Sequence, residues 1–249
     1  MNIFVCVSHV PDTTTKVQVG EDGKSIDPSG VTWILNPYDE YAVEAALQFK
    51  EAREGEVTVV CFGPDAVKET IRKGLAMGAD KGLHIKSDQP RDSFGTAKAI
   101  AETLKDREAD VIFCGRQSID YDGWQMAGLL GEMLDLPSVS VAAKLEIKED
   151  GSIEAVRDIE GGQETIVSKL PAVISAQKGL NEPRYPKLQG IMQAKRKPIE
   201  DVEPSPHENR VEVLEMSKPP VKSAGKIVGE GPDAVKDLVK LLHEEAKVI

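Results

Sequence analysis

The chain has 249 residues, of which 40% are hydrophobic and 29% charged, which is typical of a globular domain with or without an appendage. Its net charge of −11 and its aromatic content of 4% argue against a nucleic-acid partner and against an anionic membrane surface. The sequence has no apolar run of about 18 residues and no basic leader, so we expect a cytoplasmic protein of bacterial type without direct membrane insertion.

Strands and helices alternate along the first 140 residues, with a period of about 30 residues. Asn36 fits the N-cap of one helix, Pro37 its first helical position, and Gly78 the end of the next helix. This alternation predicts an α/β fold with an open, doubly wound, Rossmann-like parallel sheet, interrupted by a hairpin excursion at 16–30. The predicted strands are 1–10, 57–63, 81–87 and 110–115, and the predicted helices are 36–52, 64–80, 92–108 and 124–137.

Three cysteines each close an apolar run: Cys6, Cys61 and Cys114. In a parallel sheet these positions are the carboxyl ends of strands, where the ligand crevice of such folds lies. A thiolate metal site is conceivable, but the sequence has no CxxC motif and no neighbouring His ligand spacing. We therefore interpret the three thiols as small hydrophobes at strand ends.

The stretch GRQSIDYDGWQMAG at 115–128 forms the turn between the fourth strand and the fourth helix. Asp122 and Gln125 have N-cap and N3 spacing, which predicts a capping box at the start of that helix. The remaining free amides would suit a phosphate, with Asp120 and Asp122 turned toward backbone or a ribose. Gly115 and Gly123 permit close backbone approach. On these features alone, a capped helix without a ligand is an equally good interpretation.

The sequence pattern changes after Pro137. Residues 137–178 alternate with period two, which predicts an antiparallel β meander that extends the same sheet or flanks it. The stretch 186–222 is rich in Pro, Lys and Glu and predicts an extended arm. An arm followed by one amphipathic helix has no core of its own, so we expect it to pack on a partner subunit. The predicted domains are 1–185, with the meander and a loop at 179–185, and 186–249, whose terminal helix has Val235, Leu238, Val239 and Leu242 on one face.

The sequence offers no catalytic constellation. It contains no Walker A, GxGxxG, HExxH or GxSxG motif, and none of its four histidines lies near a plausible nucleophile. We therefore predict a protein without a catalytic site of its own.

Five ordered blocks of sequence carry a family resemblance that spans nearly the whole chain. Together they resemble the β subunit of electron-transfer flavoproteins. The blocks are NPYDEYAVEAAL at 36–47, ETIRKGLAMGAD at 69–80, GRQSID at 115–120, VRDIEGGQETIVSKLPAVISA at 156–176 and LNEPRYPKLQGIMQAKRKP at 180–198.

The resemblance implies an adenine-nucleotide-binding fold in an α/β heterodimer. One redox-active FAD is shared with, and mainly bound by, the α subunit, and the β subunit holds a structural AMP. Electrons would come from acyl-CoA or related dehydrogenases of fatty acid oxidation and pass to a membrane quinone oxidoreductase. Carried over by motif, the nucleotide-binding residues are Cys6, Asn36, Pro37, Tyr38, Asp39, Cys61, Gly115, Arg116, Gln117, Ser118, Ile119, Asp120, Tyr121, Asp122, Gly123, Trp124, Gln125 and Met126.

The resemblance also implies two partner-binding regions. Residues 179–185 match the recognition loop, in which Leu180 would anchor in an apolar pocket on the dehydrogenase. A β-turn capped by Asn181 and Pro183 is the alternative interpretation of this loop. Glu164 matches an acidic residue that would contact the mobile flavin domain of the α subunit. The other loop residues assigned to partner binding are Asn181, Glu182, Pro183, Arg184 and Tyr185.

The residues after Asp120 depart from the family pattern. Gln125 matches, whereas Trp124 and Met126 replace polar neighbours. Electron-bifurcating members hold a second FAD in place of AMP, and this chain matches neither subtype. Because Trp124 would fill space that a second flavin needs, we favour AMP over a second FAD, and an empty pocket is a further alternative. A bifurcating subunit and a stand-alone adenine-nucleotide sensor are the alternative functions.

Overall fold

The structure, a computed structural model, describes residues 1–221 and 224–249. In the first half of the chain, strands and helices alternate as the apolar runs predict. The elements are β1 (Asn2–Cys6), β2 (His9–Pro11), β3 (Trp33–Leu35), α1 (Pro37–Arg53), β4 (Glu56–Gly63), α2 (Lys68–Met77), β5 (Lys81–Lys86), α3 (Ser93–Leu104), β6 (Val111–Gly115) and α4 (Met126–Leu134).

The second half of the chain adds four strands in succession, then two helices and one short strand. These elements are β7 (Ser138–Ile147), β8 (Ser152–Ile159), β9 (Gly162–Lys169), β10 (Ala172–Ala176), α5 (Leu188–Ala194), β11 (Ile199–Val202) and α6 (Val235–Glu244).

Nine strands form one sheet in the order β11-β5-β4-β1-β6-β10-β7-β8-β9, and β2 pairs with β3 in a small antiparallel sheet. The chain runs from β1 through β4 to β5, and then crosses to β6 on the other side of β1. This reversal is the topological switch point, and Cys6 and Cys114 are register partners there. The predicted α/β fold is therefore confirmed.

Two hydrophobic clusters cover the two faces of the sheet. Leu47, Phe49 and Leu75 from α1 and α2 lie in one cluster, while Ile100 and Leu130 from α3 and α4 lie in the other. The central strands β1, β4, β6 and β10 are mostly apolar because both of their faces are buried. Two helix ends lie where the sequence predicts, with Asn36 at the N-cap of α1 and Gly78 at the C-cap of α2.

The predicted meander extends the main sheet and does not flank it. Strands β7, β8 and β9 are antiparallel neighbours, as expected. The last strand of the predicted meander differs, because β10 inserts between β6 and β7 and runs parallel to both. Its five residues are all buried, which suits a strand covered on both faces and not an alternating one.

The prediction of an extended arm from residue 186 is wrong for residues 188–202, which form α5 and β11. Strand β11 pairs in parallel with β5 at the sheet edge. The buried His84 ring on β5 reinforces this pairing, with Nδ1 2.8 Å from an Asp201 carboxylate oxygen and Nε2 2.9 Å from the Gly63 carbonyl oxygen. Asp201 lies 117 residues after His84, so no local pattern indicates the strand.

From residue 203 the described chain forms no helix or strand until a short 3-10 helix at Pro232–Ala234, which leads into α6. Residues 222 and 223 of the predicted arm lie outside the described residues. Asp92, at the N-cap of α3, accepts hydrogen bonds from the Arg210 and Val211 amides and holds this arm to the domain. Helix α6 buries none of its residues. Its packing on a partner subunit, and the division into two domains, stay predictions. Among the described helices, none is long and apolar enough to cross a membrane.

Candidate functional site

Asn36 links the start of α1 to the loop at 115–126, which we call the switch-point loop. Its fully buried side chain donates from Nδ2 to the Gln117 carbonyl oxygen at 2.8 Å. Its Oδ1 accepts from the Ile119 amide at 3.2 Å. The residue occupies the N-cap position of α1, but its side chain makes no capping hydrogen bond within the helix. The amide therefore holds the loop against the helix.

Asp39 joins the ends of β1 and β6 through a buried carboxylate. Its Oδ2 accepts from the Ser8 amide at 2.6 Å and its Oδ1 from the Gly115 amide at 3.1 Å. Burial raises the pKa of Asp39 to about 7, against the opposing effect of hydrogen bonds from Asn36, Ser8 and Gly115. The Asp39 carboxylate thus connects the carboxyl ends of β1 and β6, the two strands at the switch point.

Gly115 lies too close to α1 for any larger residue. A Cβ atom there would lie 2.2 Å from Asp39 Oδ1 and 2.7 Å from the Tyr38 carbonyl carbon. The predicted close approach is therefore real at Gly115. At Gly123 a Cβ would meet only the Ser93 hydroxyl at 3.7 Å, an ordinary contact.

Arg116 stacks between two aromatic rings at the mouth of the loop. Its guanidinium carbon lies 3.9 Å from the ring centroid of Trp124 and 5.3 Å from that of Tyr38. Its Nε donates to Gln117 Oε1 at 2.8 Å, which orients the guanidinium. Trp124 is 52% exposed, whereas Tyr121 is 75% exposed. The stack joins the loop to the first turn of α1 across the outer side of the crevice.

The predicted capping box is wrong. Asp122 has a left-handed φ of 50°, which an N-cap residue does not adopt, and α4 begins later, with Gln125 at the N-cap. The Asp122 carboxylate instead accepts from Gln117 Nε2 at 3.0 Å, and that of Asp120 from the Tyr121 amide at 2.9 Å.

No side chain caps the first turn of α4, which starts at Met126. Its amide groups therefore keep the character of an anion site, since a helix N-terminus carries partial positive charge. The two nearby carboxylates of Asp120 and Asp122 are engaged within the loop. The start of α4 is therefore a candidate position for a phosphate, which main-chain amides would hold.

The cysteines at the strand ends are buried thiols. Burial, with a smaller effect of the Asp39 carboxylate, raises the pKa of Cys6 to about 12, and burial likewise raises the pKa of Cys61 and of Cys114. All three are therefore protonated and small at neutral pH. Within the described residues, no group of three His, Cys, Asp or Glu side chains could hold a metal ion.

The structure brings most of the predicted nucleotide residues together at the switch point. Cys6, Asn36, Asp39 and Cys61 are buried there, and Pro37, Ser118 and Met126 are half-buried around them. The loop at 179–185 lies elsewhere, along the side of α1, where Asn181 Nδ2 donates to the Tyr41 carbonyl oxygen at 2.9 Å.

Leu180 and Arg184 of that loop are engaged within the protein. Leu180 is half-buried and packs against the core. The Arg184 guanidinium donates to the carboxylates of Glu44 and Glu51 on α1. Tyr185 is 93% exposed.

Sequence reasoning missed the apolar residues that follow this loop. Leu188 is 75% exposed, Met192 63% and Ile191 45%, all on α5. Their i, i+3, i+4 spacing signals one helix face. The Pro, Lys and Glu residues that surround this short helix favour an extended arm in the sequence and so mask the signal.

Glu164 lies on β9 opposite Arg157 on β8, with the Arg157 Nε 2.6 Å from its carboxylate. Arg157 Nη1 also donates to the Ser140 hydroxyl at 2.9 Å, so that three neighbouring strands are linked. The predicted contact of Glu164 with a partner domain stays a prediction.

Comparison with known proteins identifies the family. A family model described as the electron transfer flavoprotein domain matches residues 24–207. The chain is 42% identical to the electron transfer flavoprotein subunit beta of Bacillus subtilis, over the full length of both chains. It belongs to the electron transfer flavoprotein β-subunit family. The resemblance inferred from the five blocks is thereby confirmed.

Other β subunits show the same extent of similarity. The subunit from Syntrophomonas wolfei is 40% identical, with 94% of this chain and 92% of the relative covered. The human subunit is 34% identical, with 100% and 99% covered. The similarity thus includes the switch-point loop, the meander and the C-terminal arm of this electron transfer flavoprotein β subunit.

Proposed function

We propose that this chain pairs with an electron transfer flavoprotein α subunit and holds a structural AMP at the switch point. The heterodimer takes electrons from acyl-CoA or related dehydrogenases and delivers them to a membrane quinone oxidoreductase. The heterodimer itself would reside in the cytoplasm. When bound, FAD supplies the electron-carrying chemistry, mainly within the α subunit. This chain contributes binding surfaces and no catalytic group.

The observation that carries the proposal is the convergence of the assigned nucleotide residues at one point. Asn36 and Asp39 hold the switch-point loop against α1, and the uncapped start of α4 directly follows that loop. Brought together in this way, backbone amides would hold the phosphate without a charged side chain. The buried thiols of Cys6 and Cys61 would line the crevice floor.

The Arg116–Trp124 stack favours AMP over a second FAD. The stack spans from the loop to Tyr38 on α1, and the indole is fixed by its cation–π contact at 3.9 Å. A second flavin in this crevice would require that stack to open, whereas a mononucleotide is smaller. If the protein is instead a bifurcating subunit, the Arg116–Trp124 stack is expected to open when the second FAD binds.

Cofactor analysis of the purified heterodimer tests this proposal. We expect one FAD and one AMP per heterodimer when both are released by denaturation and quantified by chromatography. Two FAD per heterodimer and no AMP would instead establish the bifurcating type. A stable monomer that binds an adenine nucleotide without an α subunit would support the sensor alternative.

A matched pair of asparagine variants sharpens the same analysis. Asn36→Ala removes both hydrogen bonds to the switch-point loop and should reduce AMP content severalfold while FAD content is retained. Asn2→Ala is the control, because the Asn2 side chain also makes two hydrogen bonds to backbone, to the Arg107 and Glu108 carbonyl oxygens, but at the first residue of β1. Equal AMP in both variants would refute the assigned site.

The exposed apolar residues Tyr185, Leu188, Ile191 and Met192, which we call the docking surface, are the proposed contact for the dehydrogenase. The surrounding segment 178–198 carries six Lys or Arg residues and one Glu, in a chain whose net charge is −11. A partner with an acidic rim around an apolar pocket complements this distribution. The exposure of Leu188 favours it as the anchor, whereas Leu180 packs against the core.

Leu188→Ala tests the anchor. We expect the KM of a reduced acyl-CoA dehydrogenase for the heterodimer to rise about tenfold, as for a buried interface anchor, with FAD content unchanged. Leu180→Ala is the comparison, because its half-buried side chain supports the core and its removal should mainly lower the unfolding temperature. A larger KM effect from Leu180→Ala would restore Leu180 as the anchor.

The C-terminal arm and α6 are the proposed surface for the α subunit. Val235, Leu238 and Val239 are 44% to 53% exposed on α6. An apolar helix face of this kind is normally covered in the assembled protein. The β8–β9 hairpin with Glu164 is the second proposed contact, toward the flavin domain.

A further inference from the structure

We infer that Arg184 and Glu44, together with Glu51, form a clamp that positions the docking surface for its partner. The inference rests on the proposed function, because the docking surface is part of that proposal. In this role Arg184 is a positioning residue that acts through the loop, and it does not contact the partner itself.

The clamp consists of five hydrogen bonds between the loop and α1. The Arg184 backbone amide and Nε donate to Glu44 Oε2 at 3.1 and 2.7 Å, and Nη2 donates to Glu44 Oε1 at 2.9 Å. Nη1 and Nη2 donate to the two Glu51 oxygens at 2.5 and 3.1 Å. The planar guanidinium thus joins two carboxylates that lie two helical turns apart.

The burial of Glu44 strongly favours formation of the clamp. Its side chain is only 4% exposed, and its Oε1 also accepts from Gln48 Nε2 at 2.9 Å. A buried carboxylate needs a cationic partner, and Arg184 is the cation within salt-bridge distance in the described structure. The loop therefore has one favoured position on α1, set by the burial of Glu44.

The position of Arg184 in the chain transmits this constraint to the docking surface. It immediately precedes Tyr185 and lies four residues before Leu188 at the start of α5. Asn181 adds a second attachment through the Tyr41 carbonyl oxygen. A surface held in its binding geometry loses less conformational entropy when a partner docks, so the clamp should raise affinity without touching the partner.

The guanidinium geometry favours an indirect role in docking. Four of its hydrogen bonds go to Glu44 and Glu51, so little donor capacity is left for another protein. The sequence-based assignment of Arg184 to partner contact is therefore replaced by one in which Arg184 organises Tyr185 and Leu188.

The test compares variants of the co-expressed heterodimer with an acyl-CoA dehydrogenase, reduced by its acyl-CoA, as the probe. For Arg184→Met we expect about a tenfold higher KM for the heterodimer with kcat unchanged. Amide hydrogen exchange should accelerate in residues 180–192, while FAD and AMP contents and exchange elsewhere are retained. Arg184→Lys, which cannot span both carboxylates, and Glu51→Gln, which loosens only the exposed side, should raise the KM by successively smaller factors.

The outcomes separate this inference from the proposed function. If Leu188→Ala raises the KM but no Arg184 variant does, the clamp is not a positioning device. If amide hydrogen exchange at 180–192 accelerates in the Arg184 variants without a change in KM, the clamp is likewise not a positioning device. If Leu188→Ala itself leaves the KM unchanged, the docking surface and the clamp both fail. If Arg184→Met does not fold, the graded series of Arg184→Lys and Glu51→Gln decides. KM values for both variants that equal the wild-type KM would overturn the inference.

Discussion

Replacement of Gly115 by alanine is expected to lower the free energy of unfolding by about 3–5 kcal/mol, through overpacking and a broken buried hydrogen bond. The new Cβ would lie 2.2 Å from Asp39 Oδ1, and its next neighbours are backbone atoms of Tyr38 and Asp39. Since these belong to the first turn of α1, strand and helix must separate. The Gly115 amide would then lose its bond to Asp39, and AMP should be lost with it.

Urea unfolding of the heterodimer at one fixed concentration measures this effect. Gly128→Ala is the control, because a Cβ at this α4 position meets nothing within 4 Å. Alanine has the higher helix propensity, so the control should be neutral or more stable by up to about 1 kcal/mol. Equal stability of the two variants would show that the contact between β6 and α1 is looser than the structure describes.

The second large effect concerns pH and Asp39. The pKa of Asp39 in the folded protein is raised to about 7 from its ordinary value of 3.8 by burial. Between those values the folded state holds a proton that the unfolded state releases. The contribution of Asp39 to stability is therefore complete below about pH 4 and is lost as the pH rises through 7, by on the order of 4 kcal/mol. Asp39→Asn, which does not titrate, should lack this loss.

The measurement is the difference in unfolding free energy between wild type and Asp39→Asn from pH 3 to 8.5, a range that covers the ordinary pKa of 3.8 and the raised pKa of about 7. Asp92→Asn is the control of opposite sign. Although burial opposes it, hydrogen bonds from the Gly95, Arg210 and Val211 amides lower the pKa of Asp92, so its effect is lost only as the pH falls below about 4. Parallel curves for wild type and Asp39→Asn would contradict a raised pKa of Asp39.

The parts of this fold that local patterns determine could be predicted from the sequence. Apolar runs that end in Cys6 and Cys114 indicate buried parallel strands, and these residues are indeed neighbours in register. Asn36 with Pro37, and Gly78, mark helix ends because their backbone preferences are local. The switch-point position of the candidate site follows from strand order, which the strand–helix alternation already restricts.

The parts that depend on distant residues could not be predicted. Strand β11 is short and half polar, and only its pairing with β5 makes it a strand. The left-handed backbone of Asp122 moves the start of α4. Arg184 reads as an exposed loop cation until Glu44, 140 residues earlier, proves to be buried beneath it. For β11 and Arg184 the deciding contact is tertiary, and sequence spacing carries no trace of it; for Asp122 the unexpected feature is a local left-handed backbone.

The place of β11 in the sheet has a consequence for biosynthesis. During translation β4 and β1 find each other early, whereas β5 keeps one row of backbone hydrogen-bonding groups unpaired until residue 202 has left the ribosome. An open strand edge invites pairing with other chains, and it is most hazardous while a nascent protein is incomplete. A chain that stops short of β11 would therefore be expected to aggregate even though its two hydrophobic layers are nearly complete.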